Sequence, residues 1–503
     1  MGAMQKEDAY RQIEAIDREI TLLGHICAIL EWDQELYAPA KASDERGRQM
    51  GYLKSRMHEL ATSSLMGEIL ETAGSSETNP SGDASDPFLR ALVRLRGQEY
   101  RKAHVVPSSL VAAISEETTK GYTVWLEART KKDWKLFAPT FQRILDLQKE
   151  RASCCRKPGQ GLYDVLLDDY EEGASEAWVD SLFAPLREPV CDIIAHAPVI
   201  DDSFLRKTYP IEAQQALQRE VMEAMGFDFS RGLVGTSAHP FTSTLGEEDV
   251  RITTRYTDPS VMDSFYSTVH ESGHALYEQW ASTGRQKGTS IAGGASYALH
   301  ESQSRLWENI IGRSRPFLLA VWPLFQKRFA SQLEGIGFDQ FYRAVNKVQP
   351  GCIRTNSDEV CYVLHIMLRY EIEKQLVRGS LAVDDVPEAW NALSEQLLGV
   401  RPADDALGCL QDVHWAGGSI GYFPSYALGN LYGAQIWDAL QGELDTDRIL
   451  ASGQWQPIVR WLGTHVWQYG MSLDPATLIK TVSGKALDAT SFTRYLETKY
   501  KEM

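Results

Sequence analysis

Apolar residues recur at helical spacing along almost the whole chain, and this periodicity is the strongest restriction on its fold. In residues 5–37, for example, Ile13, Ile16 and Ile20 stand three or four positions apart. Such spacing lines one face of an α-helix. Residues 233–257 are the exception, because β-forming residues between glycines predict a small sheet or hairpin there. We therefore predict a mainly α-helical fold with one small β-sheet.

Nothing in the sequence divides the chain into separate domains. We predict a single helical domain over residues 4–503, with residues 1–3 as a remnant of an expression tag ahead of Met4. Residues 73–87 are rich in Ser, Gly, Asp and Pro, a composition that predicts a flexible loop between two helices.

The motif His270-Glu271-Ser272-Gly273-His274 carries the chemistry. Histidines four apart on a helix lie about 6 Å apart on one face and can share a metal ion. Glu271 would then stand beside the metal and act as a base toward water. The alternative interpretation is two core histidines on an ordinary helix. Gly273 disfavours a helix by about 1 kcal/mol, which indicates that another element packs closely there.

The ends of two helices can be predicted around this motif. Asp258 and Pro259 suit an N-cap followed by the first helical position, and Gly284 suits a stop. A second helix is predicted to begin near Ser296 and to end at Gly312.

A hydrolytic zinc site with two histidines needs a third protein ligand and an open position for water. Glu301 is the leading candidate, and antiparallel docking of the second helix would bring it to the histidine pair. His300 and Glu308 are the competing candidates. Glycines 293 and 294 permit the tight return of the chain between the two helices.

Arg354 stands in an irregular segment just before another predicted helix. A guanidinium there could bind the free carboxylate of a peptide through paired hydrogen bonds, with Asp358 available to orient it. On the residues alone, a structural or surface salt bridge is the favoured interpretation.

Residues 412–429 are dense in glycine and aromatic side chains. Tyr422 and Tyr426 are four apart and could face one cleft as hydrogen-bond donors to an oxyanion, whereas a tightly packed turn is the alternative. His239, near the predicted sheet, is a still weaker candidate for a functional residue when taken alone.

Composition excludes some partners. The net charge of −17 and pI near 5.2 argue against nucleic acid and anionic membranes. Seven cysteines without a CxxC pair are typical of reduced thiols in the cytoplasm. We see no secretory signal, and the longest apolar run is too short to span a bilayer.

These motifs together resemble those of the M32 metallocarboxypeptidases, the family typified by Taq carboxypeptidase. The matching motifs are His239-Pro240-Phe241, Asp249 to Thr254, His270 to His274, His300 to Gln303, Ile353-Arg354 with Asp358, and Gly421 to Tyr426. They stand in the family's order and at its spacing, and further likeness at Trp32 to Gln34 and Tyr163 to Asp168 extends it over nearly the whole chain. One departure is Ser357, where the family has alanine.

The resemblance implies an elongated, almost wholly helical peptidase with a deep groove, similar to neurolysin and angiotensin-converting enzyme. It implies a homodimer with one divalent metal per subunit, zinc with cobalt as a substitute, and release of single residues from peptide C-termini. A zinc oligoendopeptidase and a non-catalytic metal-stabilised peptide-binding protein are the alternatives.

The resemblance also assigns roles to individual residues. It implies that His270, His274 and Glu301 bind the metal and that Glu271 is the general base. Arg354 would bind the substrate's C-terminal carboxylate. His239 and one tyrosine, with Tyr426 placed ahead of Tyr422, would contact the scissile carbonyl or that carboxylate.

Overall fold

The computed structural model describes residues 4–256 and 260–501, and this part of the chain is predominantly helical. Its α-helices are α1 Lys6–Leu36, α2 Ser43–Ala61, α3 Ser64–Thr72, α4 Pro87–Val105, α5 Ser108–Lys131, α6 Trp134–Cys155, α7 Leu162–Asp168, α8 Glu176–His196, α9 Ile211–Met225, α10 Val261–Ala281, α11 Tyr297–Arg305, α12 Arg315–Arg328, α13 Phe338–Val345, α14 Glu359–Arg378, α15 Val386–Leu398, α16 Pro424–Gln441, α17 Thr446–Ala451, α18 Gln456–His465, α19 Pro475–Ser483 and α20 Thr490–Lys501. A π-helical turn, Leu306–Ile311, follows α11 directly.

A three-stranded sheet precedes α10. The strands are β1 Val234–Thr236, β2 Thr242–Gly246 and β3 Asp249–Thr254, in the order β1-β3-β2. The β2–β3 pair is antiparallel, whereas β1 joins β3 in parallel. Val250 and Ile252 of β3 are buried against Ala275 of α10, since side chains two apart share one face of a strand. The sheet therefore lies directly on α10.

Glycines let three helices approach one another closely at α11. A Cβ atom on Gly273 of α10 would lie 2.6 Å from the carbonyl oxygen of Gln303 and 2.7 Å from Cα of Ser304. On the other side, a Cβ atom on Gly429 of α16 would lie 2.7 Å from Cγ of Glu301. Glu301 is therefore held between α10 and α16, which confirms the close packing predicted at Gly273.

Gly273→Ala should destabilise the protein by about 1–3 kcal/mol, because the added methyl group meets backbone atoms that cannot rotate away. Gly51→Ala is a matched control, since Gly51 lies on α2 with no neighbour within 4 Å of its built Cβ. The control should gain up to about 1 kcal/mol from helix propensity. Urea or thermal denaturation measures both variants, and equal midpoints for the two would contradict the close packing at Gly273.

The mainly α-helical fold with a small sheet is confirmed. The second predicted helix also has the predicted limits, because Ser296 caps α11 and the π-helical turn ends at Gly312. The parallel pairing of β1 was not predicted.

Other predicted boundaries need correction or lie outside the described residues. Ser260 is the N-cap of α10, and Asp258 and Pro259 fall outside the described residues, as do residues 1–3. α10 ends at Ala281, so Gly284 does not stop it directly.

Residues 73–86 connect α3 to α4 without helix or strand. Backbone hydrogen bonds such as Asp83 N–H to Ala73 O (2.8 Å) cross this connection, and its flexibility stays a prediction. Among the described helices, none has the length and apolar character that crossing a membrane requires.

Candidate metal centre and substrate site

Three side chains from α10 and α11 converge on one point. Potential ligand atoms of His270, His274 and Glu301 all lie within 4.8 Å of one another. Glu301 Oε2 is 3.7 Å from His270 Nε2 and 3.4 Å from His274 Nε2. Two histidines and a glutamate form a known catalytic set for zinc. The donor set and its spacing therefore fit a divalent metal ion.

The second ring nitrogen of His270 is held by a carboxylate. His270 Nδ1 lies 2.8 Å from Glu308 Oε2 in the π-helical turn. Arg305 Nε donates to Glu301 Oε1 (2.7 Å) and its Nη1 donates to Glu308 Oε2 (3.1 Å). Arg305 thus fixes both carboxylates that face His270. The contact from Glu308 to Nδ1 is of the kind that orients metal-binding imidazoles.

The second ring nitrogen of His274 meets another imidazole. His274 Nδ1 lies 2.5 Å from His300 Nδ1, and His300 Nε2 lies 2.8 Å from Glu278 Oε1. Thr244 of β2 donates its hydroxyl to Glu278 Oε2 (2.9 Å). His300 and Glu308, the competing ligand candidates, therefore lie behind the two imidazoles rather than facing Glu301.

Electrostatics keep two of these groups, Glu301 and His274, in the protonation states that a metal needs. Burial would lower the pKa of His270, but the carboxylates of Glu301 and Glu308 outweigh burial and raise that pKa. Burial would raise the pKa of Glu301, but Arg305 and His270 outweigh it and hold that pKa well below its usual range. Burial lowers the pKa of His274 to about 3. An ionised carboxylate and a neutral imidazole are the forms that bind metal ions.

Glu271 is buried between the histidines and the sheet, with 6% of its surface exposed. The Thr242 hydroxyl of β2 lies 2.6 Å from Glu271 Oε2 and donates to it. Burial raises the pKa of this carboxyl group above its ordinary value. A raised pKa brings a carboxylate closer to the range in which it can accept and return a proton near neutrality.

Arg354 is held by Asp412, which corrects the partner expected from sequence. Arg354 Nε and Nη2 donate to Asp412 Oδ1 at 3.1 and 2.8 Å, and Nη1 donates to the Tyr362 hydroxyl at 2.9 Å. Asp358 instead accepts from backbone N–H groups at the start of α14. A guanidinium has five N–H groups, so one on each terminal nitrogen of Arg354 has no acceptor among the described residues.

Asp412 and Arg369 are residues that the sequence interpretation missed. Arg369 of α14 is fully buried; its Nε donates to Asp412 Oδ2 at 2.7 Å, and its Nη2 forms an ion pair with the same oxygen at 2.6 Å. Burial would raise the pKa of Asp412, but Arg369 and Arg354 hold it well below its usual range. The available signal was the position of Asp412 at the start of the glycine-aromatic segment.

Tyr422 and Tyr426 lie side by side, with ring centroids 5.2 Å apart. The Tyr426 ring lies 4.9 Å from the Arg354 guanidinium, and its hydroxyl lies 3.1 Å from His414 Nε2. Burial and then the charge of Glu301 raise the pKa of the Tyr422 phenol. The structure thus brings both tyrosines to the region between Arg354 and Glu301.

His239 is in the connection between β1 and β2 and is exposed. Its carbonyl oxygen accepts from Ser237 Oγ, and its imidazole contacts none of the other site residues in the described part of the chain. Three positions later, Thr242 contacts Glu271. The structure therefore places His239 on the connection that leads to Thr242, without a contact to Glu271.

Comparisons with known proteins cover nearly the whole chain. The family model described as "Carboxypeptidase Taq (M32) metallopeptidase" matches residues 12–500. The thermostable carboxypeptidase 1 of Thermus thermophilus is 38% identical over 512 residues, 99% of each chain, and carboxypeptidase 1 of Bacillus subtilis is 34% identical over 97% of each. The crystal structure of an M32 carboxypeptidase from Deinococcus radiodurans matches with a TM-score of 0.93 and 36% identity, over 98% of this chain and 99% of that one.

Proposed function

We propose a role for each site residue from one premise: the chain belongs to the carboxypeptidase Taq (M32) family of metallopeptidases and is a metal-dependent carboxypeptidase. The resemblance and the activity predicted from sequence are thereby confirmed. The observation that carries the residue roles is the convergence of His270, His274 and Glu301, with Glu271 on the same helix.

His270, His274 and Glu301 would hold the metal ion, and the neutral imidazole of His274 and the ionised carboxylate of Glu301 suit that task. A bound divalent metal would polarise the scissile carbonyl and lower the pKa of the attacking water. We assign zinc, because two histidines and one glutamate are a known catalytic zinc set, and we keep cobalt as a substitute.

Glu271 would accept the proton of the attacking water and deliver it to the leaving amine. Thr242 donates to Glu271 Oε2 and so fixes the orientation of the carboxylate. Since burial raises the pKa of Glu271, its carboxylate is a stronger base for the first proton transfer than an exposed carboxylate would be.

Arg354 would bind the substrate's C-terminal carboxylate with its two remaining N–H groups. Tyr426 lies against Arg354 and would contact the same carboxylate, whereas Tyr422 would donate to the scissile carbonyl oxygen. The resemblance implied one such tyrosine, with Tyr426 ahead of Tyr422, whereas we assign a contact to each, and His239 is kept as a further contact to the substrate from the β1–β2 connection.

Release of single residues and its dependence on metal can be tested in one time course. An unblocked ten-residue peptide should lose residues singly from its C-terminus, and a chelator should stop the reaction because the three ligands lose their ion. Zinc or cobalt should restore it on addition. Mass spectrometry follows the products, and internal fragments would contradict the exopeptidase assignment.

Two finer expectations stay proposals. We propose that the enzyme works in the cytoplasm, because its seven cysteines lie in the described ranges and all are free thiols. We also propose a homodimer, which rests on the family resemblance, and sedimentation at enzyme concentration would test it.

A further inference from the structure

Four tyrosines form a continuous aromatic surface that begins beside Arg354. We call it the tyrosine wall, and it comprises Tyr170, Tyr297, Tyr422 and Tyr426. From Tyr426 it continues to Tyr422 at 5.2 Å between ring centroids. Tyr422 in turn contacts Tyr297 at 5.5 Å and Tyr170 at 5.1 Å, and these last two are 5.7 Å apart.

The far end of this wall is open. Tyr297 is 54% exposed, whereas Tyr422 and Tyr170 are half-buried. Tyr297 precedes Glu301 by four residues on α11, so the two side chains lie on the same face of that helix. A single exposed aromatic residue is common on protein surfaces. An exposed aromatic residue whose ring continues the surface of a substrate site instead extends that site.

The outer tyrosines are also fixed in place. Tyr297 is the first residue of α11, where its backbone N–H donates to the carbonyl oxygen of Tyr170 (3.4 Å). The Ser296 side chain caps the same helix by accepting from Leu299 N–H (3.0 Å). The backbone that carries these two rings is therefore held before a ligand arrives, which limits the conformational entropy lost on binding.

The position of the wall relates it to a particular residue of the substrate. An extended peptide advances about 3.3–3.6 Å per residue. Tyr426 lies 4.9 Å from the Arg354 guanidinium and Tyr422 lies 5.2 Å beyond it, so a peptide anchored at Arg354 that follows the wall would pass Tyr426 with the residue to be released. The preceding residue would then lie opposite Tyr422 and the outer tyrosines.

We propose that Tyr170, Tyr297 and Tyr422 form a subsite for an aromatic side chain on the penultimate residue of the substrate. The inference rests on the proposed function, because it uses Arg354 as the carboxylate anchor. Aromatic rings prefer edge-to-face contacts at centroid distances of about 4.5–7 Å, the range found within the wall. A further ring at the open end would continue the same arrangement.

Three N-blocked tripeptides test the subsite. Each ends in alanine, and the penultimate residue is phenylalanine, cyclohexylalanine or glycine. The parent enzyme should favour phenylalanine over glycine in kcat/KM, chiefly through KM. It should also favour phenylalanine over cyclohexylalanine, which has the same bulk without a π system, by about 2- to 12-fold.

Tyr297→Ala should lower the ratio of kcat/KM for the phenylalanine peptide to kcat/KM for the glycine peptide by about 2- to 12-fold. Tyr297→Phe should keep the ratio of the parent, because the ring rather than the hydroxyl makes the contact. Tyr52→Ala is the matched control, since Tyr52 is 74% exposed on α2 and should leave the ratio unchanged. An unchanged ratio in Tyr297→Ala, or a parent enzyme without preference, would overturn the subsite alone. A parent enzyme that cleaves none of the three peptides, or releases no alanine, would instead overturn the proposed function.

Discussion

Glu271→Gln should lower kcat by about 10²- to 10⁴-fold, while metal content stays near that of the parent. Glutamine has the same shape and its amide oxygen can still accept the Thr242 hydrogen bond at Glu271 Oε2. The substitution removes the proton acceptor and leaves the packing of α10 in place. Stopped assays of alanine release, together with metal analysis of the purified variant, measure the two quantities.

Glu212→Gln provides the control for the change of charge, because Glu212 is exposed on α9. It should retain the kcat and the metal of the parent. If Glu271→Gln keeps more than a tenth of the parent kcat at full metal content, another group is the base. Loss of metal along with activity would assign Glu271 a part in metal binding instead.

Arg354→Ala should lower kcat/KM on peptides with a free C-terminus by about 30- to 5,000-fold, the range expected when one partner of a buried charged hydrogen bond is removed. Hydrolysis of the matching C-terminal amide should change far less, because it lacks the carboxylate. The variant should therefore lose the preference of the parent for free carboxylates. Asp412 keeps its hydrogen bond and its ion pair with Arg369, so it is not left as an unpaired buried charge.

A control variant and a rescue experiment test whether the effect of Arg354→Ala is specific to the substrate carboxylate. Arg460→Ala removes an exposed arginine on α18 and should leave the free-to-amide preference intact. Millimolar guanidinium should partly restore hydrolysis by Arg354→Ala, because it can refill the space beside Asp412. An equal fall of both substrates would show that Arg354 supports the fold rather than the substrate.

The candidate metal centre was predictable from sequence because it depends on local spacing. Residues four apart on a helix share a face, so His270 and His274 lie together on α10. The short return of the chain favours antiparallel docking of α11, which brings Glu301 to them. The helical fold was predictable for the same reason. Periodicity in the sequence reports directly which face of a helix is buried.

Contacts between distant segments were the ones that sequence did not reveal. Asp358 is four residues from Arg354, but its carboxylate accepts from Val360 N–H at 3.0 Å and is already used in capping α14. The actual partner, Asp412, comes from 58 residues further along. The parallel pairing of β1 with β3 is another such case, because two short strands carry no signal of which neighbour each one joins.

Because of the π-helical turn at Leu306–Ile311, the position of Glu308 at the site depends on the exact number of residues between Glu301 and Glu308. Both carboxylates contact the single imidazole of His270, one at each nitrogen. Loss of one residue between Glu301 and Glu308 would rotate Glu308 by about 100° about the helix axis and remove it from His270. An alignment of related chains should therefore show insertions and deletions in the surface loops but none between these two positions.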